Sequence, residues 1–324
     1  MKNQAANVVK KSFVGKALSK YGVYIAFALI FIILSIASDV FLTWTNIINI
    51  FKQISVIGVI AVGMTFVIAT GGIDLSVGAV LACSACLATS LSQEGSAQPL
   101  GVALIVGLLI GVACGAFSGV FIAWFDVPAF IATLGTMTIV RGIVYVYTNG
   151  YPITSVTDTY KFIGRGDIGG IPFPIILYAV IVLLGVFLLH YTKFGRHVFA
   201  LGGNEKAAIV SGINTRKVKF IVYTLSGLTA AIGGILLSSR IQTGQPAGGV
   251  GYELDAITAV VVGGASLSGG RGTVVGSVIG MLIIGTLSNG LDLLDVSSYY
   301  QQIIKGVIIL LAVLSDSKRN SSVK

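Results

Sequence analysis

The sequence predicts an all-α protein that crosses a membrane about ten times. Three observations carry that expectation. Of its 324 residues, 55% are hydrophobic and only 10% are charged, against roughly a quarter charged in soluble domains. The mean hydropathy of +0.95 agrees. Apolar runs near the length of one span recur along the chain, since a helix needs roughly 20 apolar residues to cross the bilayer. Finally, the cations sort onto alternate loops, as membrane topology requires.

Taken in order, residues 1–20 form a basic leader with Lys2, Lys10, Lys11, Lys16 and Lys20 and no acid. The apolar run 21–42 is longer than a signal-peptide core of about 7–15 residues and lacks a clear cleavage site, so it reads as a retained first span. The following segments are 51–70, 73–92, 99–125, 127–147, 174–191, 219–239, 255–270, 273–291 and 299–315. The run 255–270 is short and glycine-rich and fits a re-entrant segment as well as a span. An even number of crossings puts both ends on one side, N-in and C-in. The membrane domain is then 21–315, with a basic inside loop at 192–219 and a tail at 316–324. The leader, that loop, Arg271 and the tail residues Lys318, Arg319 and Lys324 fall inside. The opposite side receives Lys161, Arg165 and Arg240 and most of the acids. The net charge of +9 thus follows from topology and does not point to nucleic acid. Forty-two glycines suit close helix packing and helix breaks in lipid.

On the outer side, 148–174 carries Asn149-Gly150-Tyr151-Pro152, Gly169-Gly170 and three prolines. This is turn chemistry, suited to a gate, a docking surface or a plain connection. Ionisable residues in or near spans are few: Lys52, Asp74, Asp126, Arg141 and Lys305. Such residues are functional candidates, although Lys52, Asp126 and Lys305 lie near segment ends where snorkelling suffices. Arg141 lies deeper, where it can meet substrate or a carbonyl-rich helix end. The octet Gly71-Gly72-Ile73-Asp74-Leu75-Ser76-Val77-Gly78 interrupts two apolar runs, with Asp74 placed to cap the next helix. Residues 263–270 match it at five of eight positions. Paired breaks can mark transporter sites built from half-helices, which makes Asp74, Ser76, Arg141 and Ser268 candidates for a path or gate.

The stretch 191–220 is the longest polar interruption in the second half. It holds six cations and one acid, Glu205. Asn204, after Gly202-Gly203, is a good N-cap, Glu205 sits where the helix dipole favours an anion, and Gly212 can stop the helix. A short helix over 205–211 follows, with Asn214 or Thr215 capping the next one. Its apolar residues, Ala208 and Ile209 among them, need burial: against the bundle and headgroups, or in a groove on a cytosolic partner.

No phosphate loop, H-E-x-x-H or G-x-S-x-G pattern occurs, and nothing points to an enzyme, a bound metal or a cofactor. Cys83, Cys86 and Cys114 lie in apolar runs, where cysteine acts as a small hydrophobe. His190 and His197 flank the inside loop. Energy for uphill transport must come from an ion gradient or from another polypeptide.

Five stretches carry a resemblance: GGIDLSVG at 71–78, AFIATLGTMTIVRG at 129–142, ALGGNEKAAIVSGI at 200–213, GYELDAITAVVVGGASLSGG at 251–270 and VSSYYQQIIKGVIILLAVL at 296–314. Together they resemble the permease subunits of bacterial ribose ABC importers, over nearly the whole chain. The resemblance is specific for the sugar-permease family and suggestive for ribose. It implies a multi-pass protein of the bacterial inner membrane, in which two copies enclose a path for a monosaccharide. It also implies a cytoplasmic ABC ATPase that binds ATP and Mg, and an extracytoplasmic sugar-binding protein. The loop bearing Gly203, Asn204, Glu205, Ala208, Ile209 and Gly212 would then meet the ATPase, with Ala208 allowing close approach, Ile209 filling an apolar pocket and Glu205 meeting a cation. The alternative is an ion-coupled secondary carrier or a channel, favoured if Asp74 or Arg141 is an ion site in the pore.

Overall fold

The computed structural model describes residue 25 and residues 27–321, with side chains described through Leu314. The basic leader 1–20 and Lys324 lie outside the described residues, and the side chains of Asp316, Lys318 and Arg319 are not among those described. The chain is a bundle of helices: α1 (Phe27–Ala37), α2 (Trp44–Ala69), α3 (Val77–Ser90), α4 (Leu100–Trp124), α5 (Ala129–Thr148), α6 (Asp158–Arg165), α7 (Phe173–Val186), α8 (Lys193–Gly203), α9 (Glu205–Val210), α10 (Thr215–Ile241), α11 (Tyr252–Val262), α12 (Val274–Leu293) and α13 (Ser298–Ser321). A two-residue hairpin, β1 (Asp167–Ile168) with β2 (Ile171–Pro172), sits in the α6–α7 connection.

Each of the ten apolar segments contains a helix. Among the described residues six are long and apolar enough to span: α2, α4, α5, α7 with its π-turn to Tyr191, α10 and α12. α1, α3 and α11 are shorter, and in α13 the apolar stretch covers only Ser298–Leu314. The segment expected at 73–92 is helical only from Val77, so α3 has 14 residues, and the 255–270 segment holds an 11-residue α11 that ends at Val262. The two glycine-rich octets do not occupy equivalent places: 71–78 opens a short helix and 263–270 closes one.

α2 is the centre of the bundle. Val59, Ile60, Met64, Phe66, Val67 and Ile68 are fully buried. Against it packs α10, which in turn meets α4 along glycines spaced four apart. A Cβ on Gly111 would stand 2.5 Å from the Gly227 carbonyl oxygen, and one on Gly227 would stand 2.2 Å from that of Gly111. Only glycine permits this backbone approach. In lipid, where apolar burial gives no drive between helices, such contact is what holds them together. Polar pairs add to it. Asn46 and Asn289 exchange hydrogen bonds of 3.0 and 2.9 Å between α2 and α12, and the Thr65 and Ser277 hydroxyls lie 2.7 Å apart.

The connection 149–172 is folded onto the bundle end. Tyr160 and Ile163 of α6 are buried, the Tyr160 hydroxyl lies 2.6 Å from Ser238 Oγ, and the Gly164 N–H donates to Ser239 Oγ at 2.7 Å. Lys161 bridges Asp158 at 2.8 Å and Glu94 at 3.4 Å. The hydrogen bond from Lys161 holds the Asp158 carboxyl below the usual carboxylate range.

Candidate functional site

Two features stand out: a capped loop helix at the basic end, and a pair of broken segments inside the bundle. The loop helix α9 is set by its caps. Asn204 Oδ1 accepts from the Ala207 N–H at 3.0 Å. At the other end Gly212 has φ +81°, its N–H donates to the Ile209 carbonyl at 2.9 Å, and the Ile213 N–H donates to the Ala208 carbonyl at 3.0 Å. This is the Schellman closure that a left-handed glycine allows. Asn214, whose Oδ1 accepts from Lys217 N–H at 3.0 Å, caps α10.

The side chains of α9 divide differently from the sequence expectation. Ala208 is 3% exposed, so it faces its own chain and does not open the surface to a partner. The outward apolar residues are Ile209, 55% exposed, and Val210, 89% exposed. Glu205 is already paired within the chain, to Lys219 at 2.7 Å. Sequence reading also missed α8, which turns the loop into a helical pair.

α8 ends in a seat made of backbone. A Cβ on Gly202 would lie 1.9 Å from the Ala69 carbonyl oxygen and 2.5 Å from Gly270 N; one on Gly269 would lie 2.7 Å from Gly202 O and 2.8 Å from Gly71 N. The Gly270 N–H donates to the Ala69 carbonyl at 3.0 Å. Three segments therefore touch without intervening side chains: the end of α2, the end of α8 and the loop after α11.

The first broken segment, Thr70–Ser76, climbs from this seat into the bundle. Asp74 is fully buried. Its carboxylate accepts from Ser76 N at 2.9 Å, Ser76 Oγ at 2.6 Å and Ser226 Oγ at 2.7 Å. Ser226 lies near the middle of α10 (Thr215–Ile241), which places Asp74 about halfway along the bundle. Asp74 was expected to cap α3. The N-cap position is instead Ser76, because the Asp74 carboxylate is spent on Ser76 itself and on Ser226 across in α10.

The second broken segment, Gln242–Gly251, descends from the α6 end. A Cβ on Gly244 would lie 3.0 Å from Cys86 Cα, and one on Gly249 would lie 2.8 Å from Leu81 Cδ2 and 2.9 Å from Gly78 O. From Thr89 to Gly78 a helix spans about 16 Å, so α11 begins well inside the bundle. Arg141 braces this segment from α5, donating from Nη1 to Pro246 O at 2.6 Å and Gly248 O at 2.9 Å. Of the path candidates, Asp74 and Ser76 are in contact, Ser268 stands against Gly71 with its carbonyl, and Arg141 belongs to the other break. Glu253, whose Oε1 accepts from the Gly251 N–H at 3.2 Å, and Ser226 complete the two breaks. Neither has a linear signal, since Ser226 lies in an ordinary apolar run and Glu253 reads as a loop acid.

This architecture defines a multi-pass helical membrane protein with interrupted helices and a rigid basic-end loop, the class to which transport permeases belong. Residues 46–313 match the family described as branched-chain amino acid transport system / permease component, and the chain belongs to that family. It is 50% identical to the ribose import permease protein RbsC of Bacillus subtilis over 306 residues, 94% of each chain. To RbsC of Haemophilus influenzae it is 47% identical over 321 residues, 98% of each. To that of Escherichia coli K12 it is 48% identical over 299 residues, 91% of this chain and 92% of the relative. No solved structure matches the chain.

Proposed function

We propose that this chain is the membrane subunit of an ATP-driven importer of ribose in the bacterial inner membrane, ten spans with both ends inside, working as two copies. Its partners are a cytoplasmic ABC ATPase, which binds ATP and Mg, and an extracytoplasmic sugar-binding protein. The observation that carries the substrate is the 47–50% identity to ribose import permeases over nearly the full length. The helices α1, α3, α11 and α13 supply the four crossings beyond the six long apolar ones, with α3 and α11 completed by the broken segments beside them. The coupling surface is α9, with Gly203, Asn204 and Gly212 fixing its ends and Ile209 and Val210 offered outward. The path candidates are Asp74, Ser76, Arg141 and Ser268, and Asp74 acts as a brace on the first break. Its complete burial and three hydrogen bonds speak against its use as an ion site in a secondary carrier.

The test is ribose uptake by proteoliposomes holding the full complex, with ion gradients dissipated. Uptake should require ATP and the binding protein. Ile209→Asp and Val210→Asp, on the exposed face of α9, should leave the permease folded and abolish uptake and ATPase stimulation. ATP-independent uptake, or another sugar carried in place of ribose, would sink the reading.

A further inference from the structure

At the α6 end of the bundle two cations are neutralised within the chain. Lys161 pairs with Asp158 and Glu94, and Lys305 pairs with Asp255 at 2.9 Å. Three do not: among the described residues Lys52, Arg165 and Arg240 have no carboxylate within 4.0 Å. All three line one open cavity of about 540 Å³, with Asn49, Gln53 and Gly164 and no acidic residue in the wall.

Backbone carbonyls hold the two arginines there. Arg165 Nε donates to Arg240 O at 2.9 Å, and Arg240 Nη1 donates to Lys52 O at 3.2 Å. The chain of contacts joins α6, α10 and α2, and each guanidinium keeps further N–H donors free to meet an oxyanion. Gathering three like charges around one opening is unfavourable unless an anion sits among them. A second cavity of about 120 Å³ adjoins it and shares Gln53 and Arg240. Its wall adds Tyr252, Asp255, Asp292, Gln301 and Lys305. There Lys305 pairs with Asp255 and Gln301 Nε2 donates to Asp292 Oδ1 at 2.7 Å, so that space offers both donors and acceptors and suits a group whose hydroxyls do both.

We propose that the two adjoining cavities bind the phosphate ester of a small polyol, its oxyanion on Lys52, Arg165 and Arg240 and its hydroxyls in the smaller space. A phospholipid headgroup with a terminal glycerol has this chemistry, and so does a soluble polyol phosphate.

The experiment is native mass spectrometry of the purified full-length permease, with phosphatidylglycerol, phosphatidylcholine, glycerol 3-phosphate and inorganic phosphate as probes. Phosphatidylglycerol should be retained on each chain where phosphatidylcholine is not. Lys52→Gln with Arg165→Gln should weaken that retention at least tenfold, and Lys161→Gln, which removes a cation already paired, should not. Displacement of phosphatidylglycerol by glycerol 3-phosphate at comparable affinity assigns the soluble source; its failure assigns the lipid. Inorganic phosphate competing as well as glycerol 3-phosphate would overturn the polyol assignment. Equal retention of both lipids, with no effect of the double variant and no binding of glycerol 3-phosphate, would overturn the site. The readout needs neither ATPase nor sugar, so its result is separable from the transport reading.

Discussion

Two adjacent glycines, Gly202 and Gly203, give opposite answers to the same substitution. Both lie at the end of α8, where propensity alone favours Ala over Gly by about 1 kcal/mol. At Gly203 a Cβ meets nothing within 4 Å, so Gly203→Ala should be neutral or slightly stabilising. At Gly202 the same Cβ would stand 1.9 Å from Ala69 O and 2.5 Å from Gly270 N, where carbon contacts relax near 3.5–4.0 Å. Both obstacles are backbone, joined by their own hydrogen bond, so neither can rotate aside. The seat must open by more than an ångström. Overpacking typically costs about 1–3 kcal/mol, and this site belongs at the upper end. Thermal unfolding of the detergent-solubilised permease should therefore show Gly202→Ala below wild type and Gly203→Ala at or above it. In the assembled importer Gly202→Ala should also reduce sugar-stimulated ATPase activity. Equal melting temperatures for the two variants would show that the three segments are not in the contact described.

Other perturbations separate braces from surfaces. Asp74→Ala leaves Ser76 and Ser226 hydroxyls buried without their acceptor, each worth about 1–3 kcal/mol, and should lower the melting temperature strongly; Ser226→Ala should do so less. Lys305→Met strands Asp255, whose side chain is 11% exposed, and should destabilise by up to about 3–5 kcal/mol. Asp255→Asn combined with Lys305→Met should recover much of it in the same unfolding assay. Asp158 titrates below the usual range, so whatever it contributes is present above about pH 4 and is lost as pH falls through its folded-state value. Because the pair is exposed and screened, Asp158→Asn should leave the melting temperature unchanged at neutral pH.

The sequence reading succeeded where the physics is local. Asn204 and Gly212 mark the ends of α9 because caps act within one turn, and the long spans announce themselves by apolar length. It failed where the chain meets itself across distance. Nothing along the chain pairs Asp74 with Ser226, 152 residues apart, or shows that Gly202 must be bare because Ala69 and Gly270 crowd it. α8 was missed because its Gly195 and Gly202-Gly203 read as loop; burial of Val198 and Leu201 overrides that weak propensity. On the residues alone, whether Ala208 and Ile209 turn to the bundle or to a partner stayed open, since a six-residue helix has too few turns for periodicity to show which face is buried.

These contacts also bear on how displacement at α9 can reach the interior. A push on Ile209 and Val210 acts on a helix closed at both ends, so it moves α9 as a body. α9 follows directly on the end of α8, and the α8 terminus rests on backbone from the two loops beside it. Side chains in such a joint would yield by changing rotamer, whereas backbone against backbone leaves little slack. One of those loops leads within five residues to Asp74 and within eight to α3; the other follows α11. The second broken segment is held from above by Arg141 and touches Gly78 at the start of α3. Movement of the seat would therefore bear on both short helices at once, from one end, while the far end of α11 is held through Arg141 and the far end of α3 packs against Gly244. A long continuous helix would resist such a tilt along its whole hydrogen-bond ladder. A 14-residue and an 11-residue helix with breaks beside them can pivot with few bonds lost, which is the mechanical reason to interrupt spans here.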